Sequence, residues 1–318
     1  MRNGYQGILR MIALVAVVVL GFNMVGGLIT VILFGFDIKG ANGSALVLVN
    51  SIAQLAVMFT VPILLVKNKP QDIYSGLRLE GIHQTPVSAL LLGVPIILVS
   101  EFTATGLAAV WTELLKYIPS LYQSLSEVQK TLDDLMGDLT TAHSEGELLV
   151  LLFGISFIPA LVEETFFRGY IQTNIERSGN GKPRPIVAII ITSILFGAMH
   201  LSPLNFPALA FIGAMLGWLA YRTCDLRVSM LAHAMNNGII ILVAYFFRSS
   251  QETVDSLTGS SAVSLEDGLS LIGVSLPILF GLLYIFQKVT EPIDARHNAA
   301  REIGALNQPQ PIPTEQWL

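Results

Sequence analysis

The sequence predicts an all-α, polytopic membrane protein with about eight transmembrane helices. Of the 318 residues, 53% are hydrophobic and 13% are charged, about half the charged fraction of a soluble domain. The mean hydropathy is +0.64, and the apolar residues are concentrated in blocks. A helix needs about 20 apolar residues to cross a bilayer, and no block shows the alternation of a membrane barrel. Each block is therefore predicted to be a helix.

Eight apolar windows define the predicted organisation. They are 11–36, 45–66, 86–112, 148–175, 185–201, 203–221, 228–247 and 269–287. The first three belong to an N-terminal region, 1–112, and the other five to a region at 148–290 whose part 148–247 holds the candidate site. Window 11–36 is too long for the apolar part of a secretory signal, and no small-residue cleavage site follows it, so we expect it to be retained.

Two segments outside the windows have their own predictions. In segment 113–147, apolar residues recur at steps of three and four, which predicts an amphipathic helix on the outer surface. This helix is either a lid or a helix packed on the bundle. The tail, 291–318, has little apolar content and is expected to be disordered and cytoplasmic.

The positions of the basic residues predict the orientation. With the N-terminus inside, most Lys and Arg fall in inner segments, and the outer segments hold only Lys39, Lys116, Lys130 and Arg248. This is the positive-inside pattern, so both termini are expected to be cytoplasmic. Short loops and the lack of an organellar targeting segment favour a bacterial cell membrane. No basic aromatic patch indicates nucleic acid, and the single cysteine, Cys224, excludes an intramolecular disulfide.

Window 148–175 carries three ionisable residues, in the segment "LVEETFFRGY". Ionisable groups at membrane depth are costly and indicate function. Glu164 and Arg168 are four residues apart, so they share a helix face and are expected to form an ion pair with two parallel hydrogen bonds. Glu163 points elsewhere on the helix and is expected to be the carboxylate left free to face a cavity, as a general base would.

Two later windows carry histidines. Window 185–201 ends in "LFGAMHL" with His200, and window 228–247 contains "HAMNN" with His233 and Asn237 four residues apart. The turn after His200 contains no charged residue, which predicts a hairpin submerged in the membrane that brings His200 to the depth of Glu163. A polar stripe of this kind also serves as an interhelical hydrogen-bonded contact, so both interpretations stay open for His233 and Asn237.

A carboxylate, two imidazoles and an amide around one cavity suit the activation of water. Glu163, helped by His200, would take the proton, while His233 and Asn237 would donate hydrogen bonds to the oxyanion of a tetrahedral intermediate. Glu163, His200 and His233 would also be the ligands if a divalent metal such as zinc were present. The residues favour a metal-free mechanism, because the ligands would come from three separate helices without an H-E-x-x-H motif, but they leave the cofactor open.

The three motifs resemble those of the CAAX protease and bacteriocin-processing (CPBP, or Abi) family of intramembrane peptidases. "EETFFR", "FGAMH" and "HAMNN" match the patterns EExxxR, FxxxH and HxxxN in order and separation. The resemblance covers about residues 146–250. It implies a glutamate-dependent endopeptidase, with Glu163 as the catalytic glutamate, His200 as its partner and His233 and Asn237 as oxyanion donors. Eukaryotic relatives cut prenylated CAAX proteins, and bacterial relatives are linked to bacteriocin immunity and peptide maturation.

The leading hypothesis is therefore an intramembrane endopeptidase, a hydrolase that acts on a membrane protein or peptide and has membrane lipid as its surroundings. The alternatives are a non-catalytic transporter and an immunity or partner scaffold. A transporter would use Glu101, Glu163 and His233 as an ion path, but the internal repeats typical of transporters are not evident in the sequence. Glu101 is the membrane-embedded acid that the enzyme hypothesis leaves unexplained.

Overall fold

The fold is known from a computed structural model, which describes residues 2–35, 42–66, 75–178, 184–247 and 263–306. Over these residues the chain is helical, with connecting turns and no strand, which confirms the all-α prediction. The helices, in chain order, are α1 Arg2–Phe34, α2 Gly43–Leu65, α3 Val87–Leu115, α4 Pro119–Thr140, α5 Glu145–Arg177, α6 Pro185–Met199, α7 Phe206–Thr223, α8 Leu226–Phe246 and α9 Leu265–Leu306.

Six of the described helices are long and apolar enough to cross a membrane, namely α1, α2, α3, α5, α8 and α9. The protein is thus a polytopic membrane protein, but the predicted count of eight spans is not confirmed. Helices α6 and α7 account for the difference. At 1.5 Å per residue, α6 rises about 22 Å, which is less than the hydrocarbon core of about 30 Å. The two helices form an apolar hairpin of shorter elements, which is the geometry expected of a hairpin that turns inside the membrane.

The amphipathic segment forms helix α4, as its apolar periodicity predicts. Pro119 begins the helix, where its fixed φ is favourable and its missing N–H costs nothing. Helix α5 then begins at a capping arrangement in which the Ser144 hydroxyl accepts from the Glu147 backbone N–H at 3.2 Å. The Glu147 carboxylate accepts from the His143 backbone N–H at 2.7 Å. These local bonds satisfy N–H groups that no helical carbonyl reaches.

The bundle contains two main hydrophobic clusters with the polar residues of α5 between them. One cluster joins α1, α2, α5 and α6, and includes Phe166, Phe167 and Phe196. The other joins α3, α7, α8 and α9, and includes Leu216 and Ala232. Apolar side chains on the outer faces of α1 and α9 are exposed, as expected of helices that contact lipid.

Glycines allow helices α6 and α7 to approach closely. A Cβ at Gly197 would lie 3.1 Å from the Ala210 backbone nitrogen, and a Cβ at Gly213 would lie 3.2 Å from the Cα of Ser193. Small residues serve this purpose in membrane helices, because van der Waals packing there depends on close backbone contact. The hairpin can therefore be held tightly against α5.

The turn between α7 and α8 sets where α8 begins. Cys224 adopts the left-handed conformation with φ of 49° and ends α7, and the Asp225 side chain accepts from the Arg227 backbone N–H at 3.0 Å to begin α8. The Gly81 backbone N–H donates to the Cys224 carbonyl at 2.9 Å, and a Cβ at Gly81 would lie 2.0 Å from the Thr223 carbonyl oxygen. Only a glycine fits at this contact.

The first part of the tail that was predicted to be disordered, 291–318, is helical in the structure. Helix α9 continues past the membrane-spanning portion, Leu265–Ile293, and extends to Leu306. Its continuation is rich in Ala and also contains Arg, both strong helix formers, and extending an existing helix avoids the cost of nucleation. Low apolar content argues against packing but not against a helix that has already begun. Residues 307–318, also part of the predicted tail, lie outside the described residues.

Candidate active site

The centre of the candidate site is a buried network of Glu164, Arg168 and His233. Glu164 Oε1 accepts from Arg168 Nη1 at 2.7 Å and from His233 Nδ1 at 3.0 Å. The side chains of Glu164 and Arg168 are completely buried. The ion pair expected from the four-residue spacing is present, and it compensates two charges that would be costly alone.

The Arg168 guanidinium differs in detail from the prediction. Only Nη1 donates to Glu164, while Nη2 donates to the Gly213 carbonyl of α7 at 3.1 Å. The guanidinium also lies over the Phe196 ring, 4.4 Å from its centroid, where a cation is attracted by the ring face. Arg168 therefore connects α5 to both helices of the hairpin instead of forming a bidentate pair within its own helix.

Gln172 belongs to the same polar stripe, and sequence reasoning missed it. Its Nε2 donates to the Gly217 carbonyl at 2.9 Å, one turn along α7 from the contact between Arg168 and Gly213. The signal was present in the sequence, because Glu164, Arg168 and Gln172 recur every four residues. Over this stretch α5 has wide, π-helical turns at Glu164–Gln172, a distortion often found at functional sites.

Glu163 has different surroundings from Glu164. Its side chain is buried, with 5% of the residue exposed, and Oε2 has no hydrogen-bond partner among the described residues. A buried carboxylate oxygen without a partner costs about 1–3 kcal/mol or more, so such an atom requires an explanation. Glu164 Oε2 is also buried without a partner, so the two carboxylates differ in that only Glu164 is paired with Arg168, as its spacing predicts. The role of Glu163 as general base stays a prediction.

His200 lies at the end of α6, and its side chain is exposed. Its Nδ1 is 2.8 Å from the Phe196 carbonyl oxygen. A carbonyl only accepts, so Nδ1 carries the proton and Nε2 of a neutral imidazole is left with a free lone pair. The predicted partnership with Glu163 is not seen as a hydrogen bond.

The Phe196 ring contacts both histidines. Its centroid is 4.7 Å from that of His200 and 6.0 Å from that of His233. The FxxxH motif thus places its phenylalanine against the imidazole of its own helix and against that of α8. His200 is connected to the buried network through this ring and not through a chain of hydrogen bonds.

The asparagines of "HAMNN" make separate interhelical contacts. Asn237 Nδ2 donates to the Ile155 carbonyl of α5 at 3.1 Å, which leaves its second N–H for another acceptor. Asn236 Nδ2 donates to Glu101 Oε2 at 3.3 Å. This bond gives the acid on α3 a partner within the bundle, and it places Glu101 beside the third motif.

The three residues that would bind a metal if one were present, Glu163, His200 and His233, are not grouped together. Among the described residues, no three His, Cys, Asp or Glu side chains are grouped so that they could hold a metal ion. Glu163, His200 and His233 therefore do not form a metal site in this arrangement.

The same helices carry a recognisable family signature. Residues 145–239 match the family model described as type II CAAX prenyl endopeptidase Rce1-like. This confirms the resemblance to the CPBP family. The matched region runs from the first residue of α5 into α8 and includes all three motifs. This region of the chain is therefore similar to CAAX-protease-type intramembrane endopeptidases. No curated protein and no solved structure matches the chain.

Proposed function

We propose that the protein hydrolyses a peptide bond in a membrane-associated substrate with a water molecule activated by Glu163. The observation that carries the proposal is the contrast between two consecutive carboxylates. Each has a buried Oε2 without a partner, but Glu164 Oε1 accepts from Arg168 and His233, whereas no described residue donates a hydrogen bond to the Glu163 carboxylate. A general base needs an available oxygen within reach of water, and a carboxylate committed to an arginine cannot serve in this way.

The reaction follows the chemistry of the side chains. Glu163 accepts a proton from water, assisted by the Nε2 lone pair of His200, as the water oxygen bonds to the scissile carbonyl carbon. The C=O becomes an oxyanion, which receives hydrogen bonds from His233 and from the second N–H of Asn237. Collapse of the intermediate breaks the C–N bond, and the proton held at Glu163 passes to the leaving amine.

The role of His233 requires a particular protonation state. Since Glu164 accepts from Nδ1, Nε2 donates only if the ring carries both protons. Glu164 would stabilise that imidazolium, so it acts on His233 as well as on Arg168. We therefore include Glu164 as a positioning residue for His233.

A chelator tests the part of the proposal that concerns the mechanism, namely that the protein cleaves its substrate without a metal ion. The residues do not meet as a ligand set, and the proposed steps use only protein groups and water. Cleavage by the purified protein is expected to continue after prolonged treatment with a zinc chelator. Loss of cleavage that added zinc restores would assign the protein to the metallopeptidases instead.

The alternative of a transporter would use Glu101, Glu163 and His233 as an ion path. Glu101 accepts a hydrogen bond from Asn236 instead of pointing into a path with Glu163, which favours the enzyme hypothesis. An ion path would also leave unexplained why Glu164 is committed to Arg168 and His233.

The test is a comparison of membrane proteomes from cells that produce the protein or its Glu163→Gln variant at equal levels. We expect at least one membrane protein or peptide to lose a processed form in the variant, with Glu101→Gln as a control that retains processing. Identical proteomes under conditions in which the protein is produced would refute the proposed activity.

A further inference from the structure

Residues 75–82, a short segment between α2 and α3, lie at the end of the bundle where α5 ends and α8 begins. We call this segment the strap. Its first residue is bonded to α5, because Arg177 Nη2 donates to the Ser75 carbonyl at 2.8 Å. Its last residue is bonded to α8, because Arg227 Nη2 donates to the Ile82 carbonyl. The strap thus connects the two helices that carry the first and the third motif.

Arg78 lies at the centre of the strap, and its side chain is buried although it is charged. Its Nη2 donates to the Glu176 carboxylate at 2.5 Å and its Nε donates to the Thr173 hydroxyl at 3.3 Å, both on α5. The guanidinium carbon is also 6.0 Å from the centroid of the Tyr221 ring of α7. Because a guanidinium is planar and carries several donors, this one side chain holds the strap against two helices.

The backbone at Arg78 is left-handed, with φ of 56°. This conformation is uncommon outside glycine and costs free energy, so it persists only where the surrounding contacts determine it. Here those contacts are the bonds of the Arg78 side chain to α5 and the bond from the Gly81 backbone N–H to the Cys224 carbonyl at 2.9 Å. Strained residues are concentrated at functional sites, which indicates that the strap does more than connect two helices.

The strap meets α5 and α8 at Gly169. A Cβ at Gly169 would lie 3.1 Å from Leu226 Cδ1 of α8 and 3.3 Å from the Leu77 carbonyl oxygen of the strap. Gly169 is five residues beyond Glu164 in α5. Leu226 is seven residues before His233 in α8, so the contact lies within about two helical turns of the bond between Glu164 and His233. That bond is 3.0 Å long, and an increase of about 0.6 Å in the separation of the two groups would remove it.

We propose that Arg78 is a positioning residue for the candidate active site, because it fixes the separation of α5 and α8 at which His233 is bonded to Glu164. The inference rests on the proposed function in one respect, namely that this pair is part of the cleavage site. Loss of the Arg78 contacts would release the strap and allow its strained backbone to relax. The adjoining ends of α5 and α8 would then be free to separate, and His233 Nδ1 would lose its acceptor.

The test uses two readouts on the full chain in liposomes, and neither readout requires a substrate. Cys224 is the only cysteine, is buried and is bonded through its carbonyl to the strap, so its reaction with N-ethylmaleimide reports release of the strap. Solid-state nitrogen NMR of histidine-labelled protein reports the bond from His233 Nδ1 to Glu164, with the signal assigned by its loss in His233→Gln.

In Arg78→Gln we expect two losses, that of the protection of Cys224 and that of the hydrogen-bonded His233 signal. Arg78→Lys keeps a positive charge beside Glu176 and should largely retain both. Arg177→Gln removes one bond between α5 and the strap at a half-exposed side chain, so it should show the same two changes to a smaller extent. This milder variant decides the outcome if Arg78→Gln does not fold.

Lys116→Gln is the control, because it breaks an ion pair with Glu113 at the end of α3 farther from the strap, and it should leave both readouts native. A reactive Cys224 with an unchanged His233 signal would overturn the proposal, since the strap would then fasten the helix ends without positioning the site. A change in the His233 signal alone, or in neither readout, would overturn it as well. Failure of the proposed hydrolysis would leave both measurements valid, so the two failures can be distinguished.

Discussion

Glu163 and Glu164 are neighbours in the chain, yet only Glu164 is engaged by two donors from different helices. At the residue scale this contrast is the basis for assigning them separate roles. Glu164 accepts from Arg168 and His233, whereas no described residue donates a hydrogen bond to the Glu163 carboxylate. The two carboxylates should therefore respond differently to the same isosteric change.

Glu164→Gln is expected to destabilise the protein, because it leaves the completely buried Arg168 without its counter-charge. Removing one partner of a buried ion pair costs about 3–5 kcal/mol. Thermal unfolding of the purified protein measures the effect, with Glu163→Gln as the isosteric control that should unfold near the native midpoint. Equal midpoints for the native protein and Glu164→Gln would show that the pair does not support the fold.

The His233 side chain is expected to act as a hydrogen-bond donor through Nε2. Glutamine can place an N–H near that position but cannot act as a base, whereas leucine can do neither. We therefore expect the cleavage rate of His233→Gln to be about tenfold or more higher than that of His233→Leu, since the loss of an oxyanion donor has a large effect on the rate. Equally inactive variants with native unfolding midpoints would instead indicate that His233 transfers a proton.

The four-residue spacing was sufficient to predict the bond between Glu164 and Arg168, because both residues lie on one helix. The bonds from His233 to Glu164 and from Asn236 to Glu101 could not be predicted in the same way. They depend on how α8 is rotated against α5 and α3, and sequence periodicity carries no information on that rotation. The motifs identified the residues but not their partners.

At the scale of elements, α4 is attached to the turn that follows His200. Gln129 is buried, and its Oε1 accepts from the Ser202 hydroxyl at 2.9 Å and from the Leu204 backbone N–H at 3.3 Å. Its Nε2 donates to Asp133 at 2.8 Å, which fixes the orientation of the amide. Helix α4 therefore contacts the hairpin that carries His200. Both interpretations of this segment, a lid and a helix packed on the bundle, are compatible with that contact.

Gln129→Ala is expected to lower the cleavage rate by loosening the turn that positions His200. The change leaves the Leu204 N–H and the Ser202 hydroxyl without their acceptor, at a cost of about 1–3 kcal/mol. We expect a decrease in kcat with a smaller effect on KM, measured in proteoliposomes. Gln123→Ala, on an exposed part of the same helix, should leave both constants unchanged. Equal kinetics for the two variants would exclude a positioning role for α4.

Element boundaries were predicted well where apolar windows end in polar residues, and less well elsewhere. Window 203–221 corresponds to α7, Phe206–Thr223, and the shortest window, 185–201, corresponds to α6, but the windows alone did not show that neither helix is among those long and apolar enough to span the membrane. The continuation of α9 to Leu306 was also missed, because hydropathy detects membrane burial and not helix formation in water.

At the scale of the whole molecule, the orientation in the membrane is a prediction from the distribution of basic residues. Cys224 is the only cysteine and is buried, so it should not react with an impermeant thiol reagent. Lys130→Cys, on the exposed surface of α4, is expected to be labelled from outside intact cells, and Arg184→Cys only after the membrane is opened. Labelling of Arg184→Cys alone in intact cells would reverse the proposed topology.

The most direct test of the account is the cleavage rate of Glu163→Gln, measured with a substrate identified from the membrane proteomes and reconstituted with the purified protein. Removal of the general base should lower the rate about 10²–10⁴-fold while the unfolding midpoint stays near that of the native protein. A Glu163→Gln protein that cleaves at the native rate would show that the unpartnered carboxylate is not the group that activates water.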